Sequence, residues 1–379
     1  MTTLRFSCLG KQQACKNRIL AIQLHGGNNF MNTLRYIGFY FAFIFILLNC
    51  QVYGQQKIPT VNYADSINLG IAYSDKGAYD KASALYEAVP PGDTNYARAL
   101  LEDAVTKELA EKDSVAITIC YKGLKQGSEY ASAFYNTIAS CYISESNYAV
   151  AIKLLKDTAL PKYSNAPTLY FTLGLAQYKM HAYSDAINSF EKSIDLDIYD
   201  PLSHYFLGRC CLEQGRLIPA LLSLQFYLVL QPQTSRSYTT IGLIEQLVKN
   251  RYQYDTAYTA NPWTYHDNSF TELDLIIRSK IAMNSQYVSN TKINYNFVKQ
   301  IQLFLEQLKY VPSTGNYWME KYVPFFTDLQ QKKYLEPYLY FIMSSINDPN
   351  IEKGITKNSK GIRTFARWAY EDIAKHTGK

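Results

Sequence analysis

Two adjacent segments of 34 residues decide the fold: PTLYFTLGLAQYKMHAYSDAINSFEKSIDLDIYD at 167–200 and PLSHYFLGRCCLEQGRLIPALLSLQFYLVLQPQT at 201–234. Both segments place a leucine-glycine pair at the same position and an alanine twelve residues after the glycine, namely Leu173-Gly174 with Ala186 and Leu207-Gly208 with Ala220. A repeat this short cannot bury its apolar faces alone, so neighbouring copies must stack on one another. The sequence therefore predicts a helical solenoid.

The period and its two small positions resemble the tetratricopeptide repeat (TPR), a pair of antiparallel helices, A and B. The resemblance implies an all-α, TPR-type α-solenoid of helical hairpins. Five repeats follow from it, at 63–96, 97–130, 132–165, 167–200 and 201–234. Helices A and B cross closely only where side chains are small, so we expect Gly174 to face Ala186. The second repeat departs most from the pattern, with Asp103 in place of leucine and Lys107 in place of tyrosine.

Residues 235–379 follow the repeats and predict a further helical C-terminal region. Apolar residues recur there at helical spacing, separated by breaks rich in proline and asparagine. Pro324 is expected to kink or restart a helix. The segments 270–280 and 317–326 look like the C-terminal part of TPR proteins exported by some gram-negative bacteria. The aromatic residues of this region fit a buried core better than a partner surface, which stays the alternative: Trp263, Tyr265, Tyr317, Trp318, Phe325 and Phe326.

Residues 1–54 indicate export. Apolar residues from Ile37 to Leu48 precede Val52-Tyr53-Gly54, as in a secretory signal peptide that is cleaved after Gly54. This run is shorter than the ~20 residues that span a bilayer. We expect translation to start at Met31, which makes 31–54 the signal peptide and the preceding residues an N-terminal extension. The mature protein would be periplasmic or secreted, and Cys50, in a weak lipobox, leaves lipidation or membrane anchoring as the alternative.

Most of the net charge of +6 belongs to this leader. Residues 1–54 hold five basic residues and no acidic ones, which leaves 33 basic against 32 acidic residues in the mature chain. So balanced a chain does not indicate nucleic acid as a partner, and it leaves peripheral association with the membrane open. A basic cluster near the C-terminus is interpreted as a solvated helix face: Lys353, Lys357, Lys360, Arg363 and Arg367.

No cofactor, metal site or catalytic residue is predicted. The cysteines and histidines lack metal-ligand spacing, and neither a nucleophile elbow nor a glycine-rich phosphate loop occurs. We therefore expect a protein that is not an enzyme. The cysteines of the mature chain fit the core, although Cys120 and Cys141 lie on elements expected to be neighbours, which leaves a disulfide open in an oxidising compartment.

The resemblance also implies a binding face. In the family, certain positions of helix A point into a concave groove, and in the fourth and fifth repeats we predict five of them as partner-binding: Phe171, Tyr178, Lys179, Tyr205 and Arg209. Aromatic and arginine side chains are favoured in recognition hot spots. The expected ligand is a peptide or helix of another protein, and the expected function is an exported protein-protein interaction scaffold of the cell envelope. A glycan-binding or nutrient-uptake accessory, with the rings stacked on sugars, is the alternative.

Overall fold

The computed structural model describes residues 62–249, 269–293, 295–312 and 315–375. These residues form helices, turns and connections, and none of them lies in a strand. None of the helices so described is long and apolar enough to cross a membrane. The leader with Cys50, and the aromatic residues Trp263 and Tyr265, fall outside the described residues. The chain divides into two compact units, with the division between Val115 and Ala116.

The first unit contains α1 (Tyr63–Ser74), α2 (Tyr79–Glu87) and α3 (Tyr96–Leu109), and α4 (Asp113–Leu124) begins in it. Its core shows why the second repeat departs from the pattern. Asp103 is buried, and its carboxylate accepts a hydrogen bond of 2.7 Å from the Ser83 hydroxyl. The Lys107 ammonium lies 3.9 Å from the same carboxylate. The two unexpected residues therefore compensate each other, because a buried carboxylate is tolerated when it is hydrogen-bonded and paired.

The second unit continues the hairpins. The helices are α5 (Ala131–Ser144), α6 (Tyr148–Leu154) with a π turn at Leu155–Ala159, α7 (Pro167–Lys179), α8 (Tyr183–Leu196), α9 (Pro201–Glu213), α10 (Leu217–Leu230) and α11 (Ser235–Val248). Proline begins α7 and α9, where its missing N–H costs nothing, and the Asp200 side chain caps α9 by accepting from two backbone N–H groups. A left-handed residue follows α7 and α9, His181 (φ 59°) and Gly215 (φ 72°).

The packing between helices A and B differs from the expected pairing. A Cβ on Gly174 would lie 2.8 Å from Cε1 of Phe190, and one on Gly208 would lie 2.8 Å from Cγ of Leu224. The side chain nearest Gly174 is therefore Phe190 and not the expected Ala186, which is itself fully buried. Because Phe190 lies one turn after Ala186, the glycine makes room for the large residue that follows the alanine.

The C-terminal region consists of α12 (Thr271–Arg278), a 3-10 turn (Ile281–Met283), α13 (Asn296–Gln307), α14 (Tyr317–Lys321), α15 (Val323–Gln331), α16 (Leu335–Ile342), α17 (Pro349–Lys357) and α18 (Ser359–Lys375). Pro324 lies in the first turn of α15, so the predicted restart of a helix at this proline is confirmed. Trp318, Phe325 and Phe326 are buried, as the core interpretation required, and Tyr317 is partly buried.

Helix α10 holds the C-terminal region against the repeats. The Trp318 indole N–H donates to the Ser223 hydroxyl at 3.0 Å, and the Tyr338 hydroxyl donates to the Gln225 side-chain oxygen at 2.8 Å. The Phe226 ring packs on Tyr322, with 5.2 Å between ring centres. Residues 217–229 of α10 are all buried, which accounts for their nearly continuous apolar run.

The cysteines of the described chain are thiols. Cys120, Cys141, Cys210 and Cys211 are buried, and no disulfide joins any two of them. Burial raises the pKa of the Cys210 thiol well above its usual value. The core interpretation of the four cysteines therefore holds, and the alternative of a Cys120–Cys141 disulfide is not realised in this structure.

Candidate partner-binding face

The five predicted site residues lie on two neighbouring A helices, Phe171, Tyr178 and Lys179 on α7 and Tyr205 and Arg209 on α9. We call these five residues the helix-A face. Lys179 is exposed and the other four are partly buried. Helices α7 and α9 are in contact, so the structure brings the two groups of residues together.

Phe206 joins the two helices. Its ring lies 6.0 Å from that of Phe171 and 5.5 Å from that of Tyr178, measured between centres, and it stacks on Phe190 at 5.8 Å. Phe206 is only 4% exposed, so it does not contact a ligand itself but packs beneath Phe171 and Tyr178 and fixes their positions. Sequence reasoning missed this residue because it concentrated on positions that point outwards, although the adjacent aromatic pair Tyr205-Phe206 was a usable signal.

The Tyr178 side chain is held by aromatic contacts and retains a neutral hydroxyl. Its ring also lies 5.7 Å from that of Tyr183, between centres. Burial raises the pKa of Tyr178 to about 12, and the positive charge of Arg209 opposes this shift in part. The Tyr178 hydroxyl therefore stays protonated at physiological pH and can donate a hydrogen bond to a ligand.

Three residues one turn apart form a ladder along α9. A guanidinium N–H of Arg209 donates to the Tyr205 hydroxyl at 3.2 Å, and Nη2 of Arg209 lies 3.8 Å from the Glu213 carboxylate. This spacing of four residues places the side chains on one side of the helix. The ladder holds the Arg209 guanidinium beside the Tyr205 ring, so the charge and the aromatic surface are presented together.

Arg236 of α11 is a further residue at this face that the sequence interpretation missed. Its guanidinium carbon lies 5.3 Å from the centre of the Tyr205 ring, within the range of a cation–π interaction. Helix α11 begins directly after the fifth hairpin, with Thr234 as its N-cap. The repeats predicted from the sequence end at residue 234, so Arg236 lies outside the predicted binding face. The N-cap threonine before α11 was the signal that could have found it.

The side chains of the helix-A face are suited to binding a ligand. The face combines aromatic rings with the positive groups of Lys179, Arg209 and Arg236, and Glu213 is the carboxylate that pairs with Arg209. Among the residues that the structure describes, no group of three or more His, Cys, Asp or Glu side chains could hold a metal ion.

No protein-family model matches the chain, and no curated protein matches it. Among solved structures, the chain is similar to a thermophilic TPR protein of Thermus thermophilus, with 20% identity over 49% of this chain and 99% of that one, and a TM-score of 0.41. It is also similar to MamA (residue 41 to the end) from Desulfovibrio magneticus RS-1, with 16% identity over 45% of this chain and 94% of that one, and a TM-score of 0.35. The consecutive hairpins and their glycine contacts define the fold independently: the described residues form an all-α succession of TPR-like helical hairpins followed by a helical C-terminal region.

Proposed function

We propose that the chain is an exported scaffold of the bacterial cell envelope that binds a peptide or a helix of a partner protein at the helix-A face. A solenoid of TPR hairpins is a scaffold for protein-protein interaction. The observation that supports the particular site is Tyr205, whose ring lies against Arg236 and whose hydroxyl accepts a hydrogen bond from Arg209. Tyrosine and arginine are, with tryptophan, the side chains enriched in binding hot spots.

The orientation of α9 supports the same face. His204 faces the C-terminal region, where it is hydrogen-bonded to Tyr322. Successive helical residues are about 100° apart, so Tyr205 lies about 100° and Arg209 about 140° around the helix from His204. The side of α9 that binds the C-terminal region and the side that bears Tyr205 and Arg209 are therefore different. The proposed ligand would meet the second side.

Export is supported by the sequence of the leader. A short apolar run followed by Val52-Tyr53-Gly54 is typical of a cleaved signal peptide. The proposed mature protein begins at Gln55 and acts in the periplasm or outside the cell, and lipidation at Cys50 is the alternative form of retention. The net charge of the mature chain is close to zero, which is consistent with a partner that is recognised by its shape and by contacts with aromatic rings.

Site-specific photocrosslinking in living cells tests the binding face. Lys179 of α7 is replaced by p-benzoylphenylalanine, and Lys192 of α8, a lysine that is also exposed but lies on a B helix, is the matched control. We expect a discrete protein adduct from position 179 and none of the same mass from position 192. The same adduct from both positions, or none from position 179, would show that the face does not bind a protein.

A second variant connects the adduct to the charges of the face. Position 179 already carries the crosslinker in this experiment, so only the other two charges can be tested. The substitutions Arg209→Gln and Arg236→Gln are therefore made in the chain that carries the crosslinker at position 179. These changes preserve the rings that pack on Phe206. We expect the adduct to disappear from a chain that still folds, although its melting temperature should fall because Arg209→Gln removes the partner of the buried Glu213 carboxylate. Retention of the adduct in a folded variant would contradict the proposed site.

A further inference from the structure

Helices α17 and α18 expose a segregated positive charge. The fifteen residues from Lys353 to Arg367 contain five cationic side chains and no carboxylate. Glu352 and Glu371 flank the segment on either side. We call the five cationic residues the basic ridge: Lys353, Lys357, Lys360, Arg363 and Arg367.

The basic ridge lies opposite the buried side of α18. Phe365, Trp368 and Ile373 are buried against the rest of the C-terminal region, with 0%, 8% and 3% of their surfaces exposed. At about 100° per residue, Lys360, Arg363 and Arg367 fall within about 60° of one another and on the other side of the helix. All five ridge residues are exposed. The sequence pattern and the packing therefore agree on a positive face of α18, and Lys353 and Lys357 are exposed on the adjoining α17.

The ridge charges are not neutralised within the described chain. No described carboxylate lies within 4.0 Å of a ridge ammonium or guanidinium group. Other cations of the same region are paired, since Lys375 lies 3.6 Å from Asp372 and Lys321 lies 2.9 Å from Asp195. A row of like charges repels itself, and an external polyanion would relieve this repulsion.

We propose that the basic ridge binds the surface of an anionic phospholipid bilayer. The charges are spread over two helices that are in contact, with Lys353 and Lys357 on α17 and the other three on α18, and a bilayer presents many anionic headgroups to such a spread of charge. Tyr370, 66% exposed, projects close to the direction of Arg363 around α18. A tyrosine beside basic residues suits the headgroup layer, where its ring and its hydroxyl are both accommodated.

The same observations disfavour single-stranded nucleic acid. Binding of that kind combines positive charge with exposed aromatic rings on which bases stack. Phe365, between Lys353 and Arg367, is fully buried, and the exposed Tyr370 ring already packs on Tyr199, with 5.4 Å between ring centres. The ridge therefore has no row of free rings on which successive bases could stack, which matches a lipid headgroup layer better. This proposal is independent of the helix-A face.

Vesicle sedimentation with the full chain tests the proposal. The quantity measured is the gain in binding when phosphatidylglycerol is added to phosphatidylcholine vesicles, at low and at high salt. The ridge variant is Lys357→Gln, Lys360→Gln and Arg363→Gln. The matched control is Lys125→Gln, Lys162→Gln and Lys192→Gln, three exposed lysines elsewhere in the second unit. Both variants contain residues 1–61, so any vesicle binding by that segment contributes equally to the two measurements.

We expect the gain in binding that phosphatidylglycerol produces to fall on the order of 100-fold in the ridge variant, because each of the three charges removed contributes about fivefold. The control variant should keep this gain. High salt should abolish the gain, because the Debye length falls from about 10 Å at 0.1 M to about 3 Å at 1 M ionic strength. An equal gain in the two variants, or no gain for the unaltered chain, would overturn the proposal. Tighter binding of a single-stranded oligonucleotide than of anionic vesicles at the same salt would also overturn it. Equal melting temperatures of the two variants establish that both are folded.

Discussion

His204 of α9 and Tyr322, between α14 and α15, share a buried hydrogen bond, with 2.7 Å between Nδ1 and the phenol oxygen. The other ring nitrogen, Nε2, lies 2.8 Å from the Ile198 carbonyl oxygen. A carbonyl only accepts, so Nε2 bears the proton and Nδ1 accepts from Tyr322. A neutral imidazole therefore links the repeats to the C-terminal region, and a second proton on the ring would end the role of Nδ1 as the acceptor of the Tyr322 hydroxyl and would place a charge in the core.

The first prediction is a loss of stability in acid. Burial lowers the pKa of His204 to about 3 from an ordinary value of 6.5. Below pH 6.5 the unfolded chain binds a proton at this residue that the native chain does not bind. The contribution of His204 to the free energy of unfolding is therefore complete above pH 6.5. It declines by up to about 1.4 kcal/mol per pH unit as the pH falls towards 3.

Urea unfolding at a series of pH values measures this effect. The variant His204→Gln should lose the part of the pH dependence that lies between about 3 and 6.5. Tyr322→Phe should keep a titrating histidine and should lower the stability by about 1 to 3 kcal/mol, because a buried acceptor loses its donor. A pH profile that is identical in the unaltered chain and in His204→Gln would rule out the buried neutral imidazole.

The second prediction concerns the contact between helices A and B. Gly174→Ala should destabilise the protein by about 1 to 3 kcal/mol, because the new methyl group would meet the Phe190 ring. Gly242 of α11 is the matched control, since a Cβ there has no neighbour within 4 Å. Gly242→Ala should stabilise the helix by about 0.5 to 1 kcal/mol. Thermal melting of both variants decides the matter, and equal shifts of the same sign would be inconsistent with the observed packing.

The repeat part of the fold was predictable because its packing is local in sequence. Gly174 and Phe190 belong to one hairpin, and a fixed period exposes such pairs. Even there the pattern did not identify the partner of Gly174, since it shows which positions are small but not which large side chain fills the space. Asp103 and Lys107 looked like errors in the pattern, and only their geometry shows that they compensate each other.

The attachment of the C-terminal region was not predictable. Tyr338 is 113 residues from its hydrogen-bond partner Gln225, and no periodicity connects them. The one signal in the sequence was the presence of Ser223 and Gln225 in an otherwise apolar helix, because buried polar groups need partners. At the candidate site, Arg236 was missed for a similar reason, since it reaches Tyr205 from a helix beyond the recognised repeats.

The third prediction tests this attachment by a double-mutant cycle. Gln225→Leu should cost about 1 to 3 kcal/mol, because the buried Tyr338 hydroxyl then lacks its acceptor. Adding Tyr338→Phe to Gln225→Leu should recover part of that loss, since no unpaired polar group remains. The free energies of unfolding of the two single variants and the double variant measure the coupling. Strictly additive losses would mean that the two side chains do not interact.

The last prediction concerns the leader. In a bacterial host that cleaves signal peptides, the chain should be recovered from the periplasmic fraction or the medium with Gln55 as its first residue, because Val52 and Gly54 are small enough for the cleavage site. N-terminal sequencing and intact mass measure this directly. Gly54→Arg should block cleavage and leave the protein at the membrane, and Cys50→Ser is the control that should have no effect. Recovery with a lipid on Cys50, or a loss of envelope retention in Cys50→Ser, would instead establish the lipidated form.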